Sequence, residues 1–148
     1  MPFRPPPHQE SLVIVRPEER PWGFIVHAVA WVPIWGFVIN AAVWLYFKNR
    51  SREMVFHIQQ AMQFQIVALI PLIAWSLFAI LANIAANLSP RVGGLLHDVN
   101  GFFLSAFLTL CAMVAIGGGA SVYLGRPFLY PFFGQRVLEG SIRKMQEE

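Results

Sequence analysis

Charge is scarce in this chain of 148 residues: Asp, Glu, Lys and Arg make up 13% of it, against roughly a quarter in an ordinary soluble domain. Cysteine occurs once, which excludes a disulfide framework. Glycine and proline, 11 of each, follow no repeat, which excludes a collagen-like chain. Aspartate occurs once, as Asp98. In place of these the chain is 56% hydrophobic and 14% aromatic, with mean hydropathy +0.52, far too apolar for a disordered segment. Its length predicts one domain, at about 150 residues per domain.

The positions of the few charges are more informative than their number. No Asp, Glu, Lys or Arg occurs from Trp22 to Phe47, from Met54 to Pro90 or from Val99 to Gly125. Each stretch exceeds the ~20 apolar residues that cross a hydrocarbon core about 30 Å thick. Helices apolar on every side and of this length read as spans. Nine of the eleven basic residues are Arg and almost all flank these stretches, as insertion and anionic headgroups favour. They form no basic helix or RNA-binding motif, so no nucleic-acid partner is expected. The long charged lead before Trp22 lacks a signal-peptide cleavage pattern.

The expected architecture is an all-α integral membrane protein with three hydrophobic segments. A Pro-rich extended arm covers 1–21, a helical membrane domain 22–134, and a cytoplasmic amphipathic tail 135–148. Prolines keep a long helix out of the arm, which is expected to be loosely packed; Ser11-Leu12-Val13-Ile14-Val15 could alternatively add as a strand to a partner edge. The first segment, Trp22 to Phe47, is broken near Pro33 and Gly36, and two shapes compete: one kinked span, or a re-entrant hairpin shielded by other helices. A single crossing puts seven Lys/Arg on one side against four; a hairpin puts ten on one side against Arg91 alone. Both place the C-terminus in the cytoplasm. The hairpin is favoured by the charge count, although Trp31 and Trp35 sit awkwardly near its tip.

Ser51 is positioned to cap the second segment. Val55 to Gln65 carries His57, Gln59, Gln60, Gln63 and Gln65 and reads as an interfacial turn ahead of a span over Ile66 to Ala86. Ser76, Asn83 and Asn87 share a face and are expected to bond to neighbouring helices. Arg91 to Asn100 reads as a loop, and the third span as Gly101 to Leu124. Gly101, Ser105, Thr109, Ala112 and Gly119 form a stripe of small residues suited to close helix packing, and Gly117-Gly118-Gly119 predicts a tight crossing. Gly125 to Gly134 reads as an aromatic interfacial stretch. A final helix, Gln135 to Gln146, sets Leu138, Ile142 and Met145 on one face of an interfacial amphipathic helix.

The series Arg20, Trp22, His27, Pro33, Gly36, Trp44, then His57-x-x-Gln60-Ala61-x-Gln63-Phe64-Gln65, then Gly125 with Tyr130-Pro131, resembles a small bacterial membrane-protein family of unknown function. That family is related to the twenty-kilodalton subunit of the chloroplast inner-envelope translocon and is similar to some magnetosome-membrane proteins. The likeness covers Arg20 to Gly134. Gln60 and Gln63 stand where such proteins more often carry an acidic residue and Asn. The resemblance implies a multi-pass protein of the bacterial inner membrane, or of a specialised intracytoplasmic membrane, working inside assemblies.

Catalytic constellations are missing from the apolar stretches: there is no carboxylate pair, no Ser-His-Asp set, no metal-spaced Cys/His cluster and no phosphate loop. No enzyme activity is expected. An ion-coupled transporter is disfavoured because the stretches hold no Asp or Glu, and Cys111 reads as a small buried hydrophobe. The leading expectation is a non-catalytic accessory or scaffold subunit, contacting lipid and other membrane subunits in a hetero-complex or homo-oligomer. One alternative is a component of an oligomeric protein- or solute-conducting channel, lined by Gln59, Gln60, Gln63, Gln65, Asn83 and Asn87. A second is haem or chlorophyll binding through His57 and His27, set against the expectation that no cofactor is bound directly.

Overall fold

The computed structural model describes residues 13–131 and 133–147, with side chains as far as Arg143. Residues 1–12 of the expected arm, Leu12 included, and the side chains of Lys144 and Met145 lie outside the described residues. A 3-10 turn, Pro17–Glu19, leads into α1 (Arg20–Ala28), α2 (Pro33–Phe47), α3 (Arg52–Leu88), α4 (Pro90–Tyr123) and α5 (Gly134–Glu147). Among the described residues there is no strand.

The first uncharged stretch folds back on itself. Pro33 opens α2 and holds Val32 extended, at φ −90° and ψ 107°, because the residue before a proline is pushed out of the helical region. At the tip, Gly36 lets the Val29 carbonyl and the Gln65 side chain approach where a Cβ would stand. The indole of Trp22, at the start of α1, lies 6.4 Å from the Tyr46 ring and 6.2 Å from the Phe47 ring at the end of α2. The two halves of this stretch therefore lie side by side as a helical hairpin.

The second hairpin is much longer. Ser51 is extended and its Oγ accepts from the Met54 N–H at 3.2 Å, the expected cap. Helix α3 then runs 37 residues through Pro71, about 55 Å at 1.5 Å per residue. A single extended residue, Ser89, separates it from the 34-residue α4, which has Pro90 in its first turn. The expected loop from Arg91 to Asn100 is therefore helix, and α4 begins well before Gly101. Proline in the first turn costs no hydrogen bond. Gly93 supplies the clearance the sharp reversal needs, since a Cβ there would run into the backbone of Ala86.

The short hairpin packs against one end of the long one. The buried face of α2, Gly36, Asn40, Val43 and Phe47, meets Met54, Ile58, Ala61 and Gln65 on α3, both at helical spacings of three and four. Val15, Val26, Ala115 and Val122 complete this core. A second cluster joins Val13 and Phe56 to Val137 and Leu138 of α5, with Ile142 beside them. The amphipathic helix thus docks its apolar face on α3, not only on a surface. Val13 and Val15 are also buried in the chain's own core instead of adding as a strand to a partner; each buried valine is worth about 1.5–3 kcal/mol.

Beyond this end the long helices stand bare. Only 6% of the most apolar window of α3 and 17% of that of α4 is buried. Ile70, Ile73, Leu77, Leu81, Phe102 and Met113 all face outward. Ser76 and Asn83 bond back to their own helix, to Leu72 O at 2.9 Å and Ala79 O at 3.0 Å, and together with Asn87 they are exposed. The expectation that they bond to neighbouring helices is not met among the described residues, where no other element reaches that face.

Candidate functional site, a buried histidine pair

Folding α1 back brings His27 against His57, and neither has any exposed surface. His27 Nε2 lies 3.0 Å from His57 Nδ1, His27 Nδ1 lies 3.0 Å from the Tyr130 hydroxyl, and His57 Nε2 lies 3.0 Å from the Val13 carbonyl oxygen. One end of this chain fixes the rest. A carbonyl oxygen only accepts, so His57 Nε2 carries hydrogen. With His57 neutral, its Nδ1 is then an acceptor, so His27 Nε2 donates to it. His27 Nδ1 is left as acceptor, and the Tyr130 O–H donates to it. Both imidazoles are thereby held as neutral Nε2–H tautomers, and every ring nitrogen is engaged.

Tyr130 is delivered by the 124–133 connection, which the sequence suggests is an interfacial aromatic stretch. Instead its ring is 2% exposed, stacked on Phe64 at 4.7 Å and on Phe133 at 5.4 Å, with Phe128 edge-on at 4.9 Å. Burial, with a smaller contribution from Cys111, pushes its phenol well above the usual range, so it stays protonated as the donor. Its backbone N–H donates to Gln60 Oε1 at 3.2 Å. Gly134, where α5 starts, sits tightly between Leu129 and that same Gln60 oxygen.

The HxxQAxQFQ run thus splits by face. His57, Gln60, Ala61 and Gln65 are buried, Phe64 is half-buried against Tyr130, and Gln63 is exposed. The stretch expected to be interfacial is largely core, and His57, Gln60 and Gln65 each make at least one hydrogen bond there. Gln65 Nε2 donates to Val32 O at 3.4 Å, tying α3 to the hairpin tip. Pro131 is exposed. Gln60 Nε2, Gln65 Oε1 and both amide atoms of Asn40 are buried without a hydrogen-bond partner among the described residues.

The small-residue stripe divides as well. Of the Gly117-Gly118-Gly119 run expected to form a tight crossing, Gly119 meets the backbone of Phe24 and Ala28 on α1, Gly118 meets the Phe128 ring of the connection, and Gly117 has open space around it. Ala112 is half-buried, but Gly101, Ser105 and Thr109 are exposed, and Thr109 Oγ1 donates to its own helix at Ser105 O, 2.8 Å away. The packing face of α4 is instead Gly93, Asn100, Cys111, Ala115, Gly118, Gly119 and Val122.

Three features were not foreseen. Glu19 is buried, bound to Arg16 at 2.6 Å, and accepts from Ser51 Oγ at 2.8 Å, locking the start of α1 to the cap of α3. The Arg20 guanidinium packs on Gly125, whose φ of 71° only glycine adopts readily. The Val13 carbonyl closes the histidine chain, and no side-chain pattern marks a backbone acceptor.

With respect to ligation, both imidazole lone pairs are spent on His27 N–H and Tyr130 O–H, so holding haem iron or chlorophyll magnesium would require breaking one of these bonds. Among the described residues no three His, Cys, Asp or Glu side chains lie close enough together to hold a metal ion.

Two long, poorly buried apolar helices carrying a polar-cored cap define an all-helical protein of membrane type by length and composition. Residues 18–137 match the magnetosome magnetite crystal formation protein family, and the chain belongs to that family. The matched region contains His27, His57, Gln60 and Tyr130 and runs into α5. Comparison with curated proteins and with solved structures returns no match.

Proposed function

We propose that this chain is a non-catalytic scaffold subunit of the magnetosome membrane, acting in magnetite formation by contacts with lipid and other membrane proteins. One observation carries the reading: the two buried imidazoles spend their lone pairs on His27 N–H and Tyr130 O–H, while the long faces of α3 and α4 present mainly apolar side chains to the surroundings. Family membership and the bare faces of α3 and α4 support a membrane location. The charges support a topology in which α3 and α4 cross and the α1–α2 hairpin enters from the cytoplasmic side. Arg16, Arg20, Lys48, Arg50, Arg52, Arg126 and Arg136 belong to the segments at one end, against Arg91 near the Ser89 turn. Both ends of the described chain then lie in the cytoplasm. The relation to the chloroplast translocon subunit rests on motif likeness alone and adds no activity to this reading.

The exposed Gly101, Ser105 and Thr109 are where another helix would approach. Native mass spectrometry and crosslinking in the source membrane test this. A partner chain should be recovered with wild type and lost with Ser105→Leu/Thr109→Leu, with magnetite crystal dimensions altered in parallel. Recovery of a monomer alone, or stoichiometric iron binding by the purified chain that vanishes with His27→Leu, would overturn the proposal.

A further inference from the structure

Where α5 lies along α3, a groove of about 380 Å³ opens on the outside of the polar end. Gln59, Met62 and Gln63 line it from α3, and Arg136, Gly140 and Ser141 from α5. It presents one guanidinium, which only donates, and two carboxamides, each able to turn its NH2 towards an acceptor. Ser141 spends its hydrogen on Val137 O at 2.9 Å. Gln59, Gln63 and Arg136 make no side-chain hydrogen bond or ion pair among the described residues, and no carboxylate lines the groove. One positive charge with planar, forked donors beside two amides suits a phosphate oxygen pair.

The surroundings choose the source of that phosphate. One turn along α3 from Gln63, Ile66 and Val67 are exposed at 54% and 48%, the beginning of the bare apolar surface. A ligand with its phosphate in the groove therefore has apolar helix directly below for acyl chains. We infer that the Gln59–Gln63–Arg136 groove binds the phosphate of an anionic membrane phospholipid, clasping α5 to α3 at the cytoplasmic headgroup level. The inference rests on the membrane reading above.

Bilayers of phosphatidylcholine with phosphatidylglycerol provide the probe, and native mass spectrometry after mild detergent release counts retained lipid. Wild type should keep phosphatidylglycerol in preference to phosphatidylcholine. Arg136→Gln/Gln59→Leu should bind it about tenfold more weakly, the loss of one charge-assisted bond, and Gln63→Leu should show a smaller loss. Arg143→Gln, exposed on the same helix but outside the groove, should bind as wild type does. Equal retention by wild type and Arg136→Gln/Gln59→Leu overturns the site. Inorganic phosphate binding as tightly as the lipid, in an Arg136-dependent way, overturns the lipid assignment. Vesicle flotation separates the two readings: a wild type that fails to float removes the membrane reading itself, whereas floating protein with unselective lipid removes only the groove.

Discussion

Tyr130→Phe isolates the histidine chain more cleanly than any other substitution. It deletes one hydroxyl from a ring that is 2% exposed, and the stacking on Phe64 and Phe133 is unaffected in principle. What it leaves behind is His27 Nδ1, a fully buried acceptor whose donor stood 3.0 Å away. A buried group left unsatisfied costs about 1–3 kcal/mol, whereas removing both partners of a bond approaches neutrality in the hydrogen-bond term. The double-mutant cycle with His27→Phe should therefore show coupling of about 1 kcal/mol or more, with the second substitution costing less in the Tyr130→Phe background than in wild type. Reversible unfolding in mixed micelles, followed by helical circular dichroism, supplies the four stabilities. Additive losses, or a Tyr130→Phe loss below about 0.5 kcal/mol, would refute the relay as a structural lock.

Other perturbations separate neighbouring claims. The folded-state phenol of Tyr130 is raised by burial, so its contribution is complete below the ordinary tyrosine value of about 10 and is lost as pH rises above it towards the folded value. Alkaline unfolding curves should show this slope in wild type and lack it in Tyr130→Phe. Gly93→Ala should destabilise by about 1–3 kcal/mol because its Cβ meets the Ala86 backbone, whereas Gly94→Ala, with open space around it, should stabilise by about 0.5–1 kcal/mol; thermal midpoints of the pair provide the comparison. Ser51→Ala removes both the Met54 cap and the donor to Glu19 and should cost at least ~1 kcal/mol, measured by the same unfolding assay.

The large features were legible because they are properties of contiguous sequence. Charge-free runs marked the long helices, Pro33 marked the break, and Ser51 marked a cap. Arg91 to Asn100 was misread because Gly93-Gly94 between charged and polar residues carries turn chemistry. The actual reversal is the single Ser89, and Gly93 is there for interhelical clearance. The small-residue stripe showed which α4 positions permit close approach, but not which neighbour arrives; α1 lands on Gly119 and leaves Gly101 bare. The histidine chain could not be read at all from spacing. His27 and His57 are separated by 30 positions and His27 and Tyr130 by 103, and only the hairpin that folds α1 back onto α3 joins them. The motif residues were identifiable by type; their partnership is a product of topology.

Everything depends on the first uncharged stretch returning to the side it came from, since a crossing helix would carry His27 away from His57. Single cysteines at Ile14, Asn49 and Leu88, placed in a Cys111→Ala background and labelled with a membrane-impermeant maleimide in oriented vesicles, measure this directly. The account predicts that positions 14 and 49 label from the same face and position 88 from the opposite one; labelling of 14 and 49 from opposite faces would contradict it.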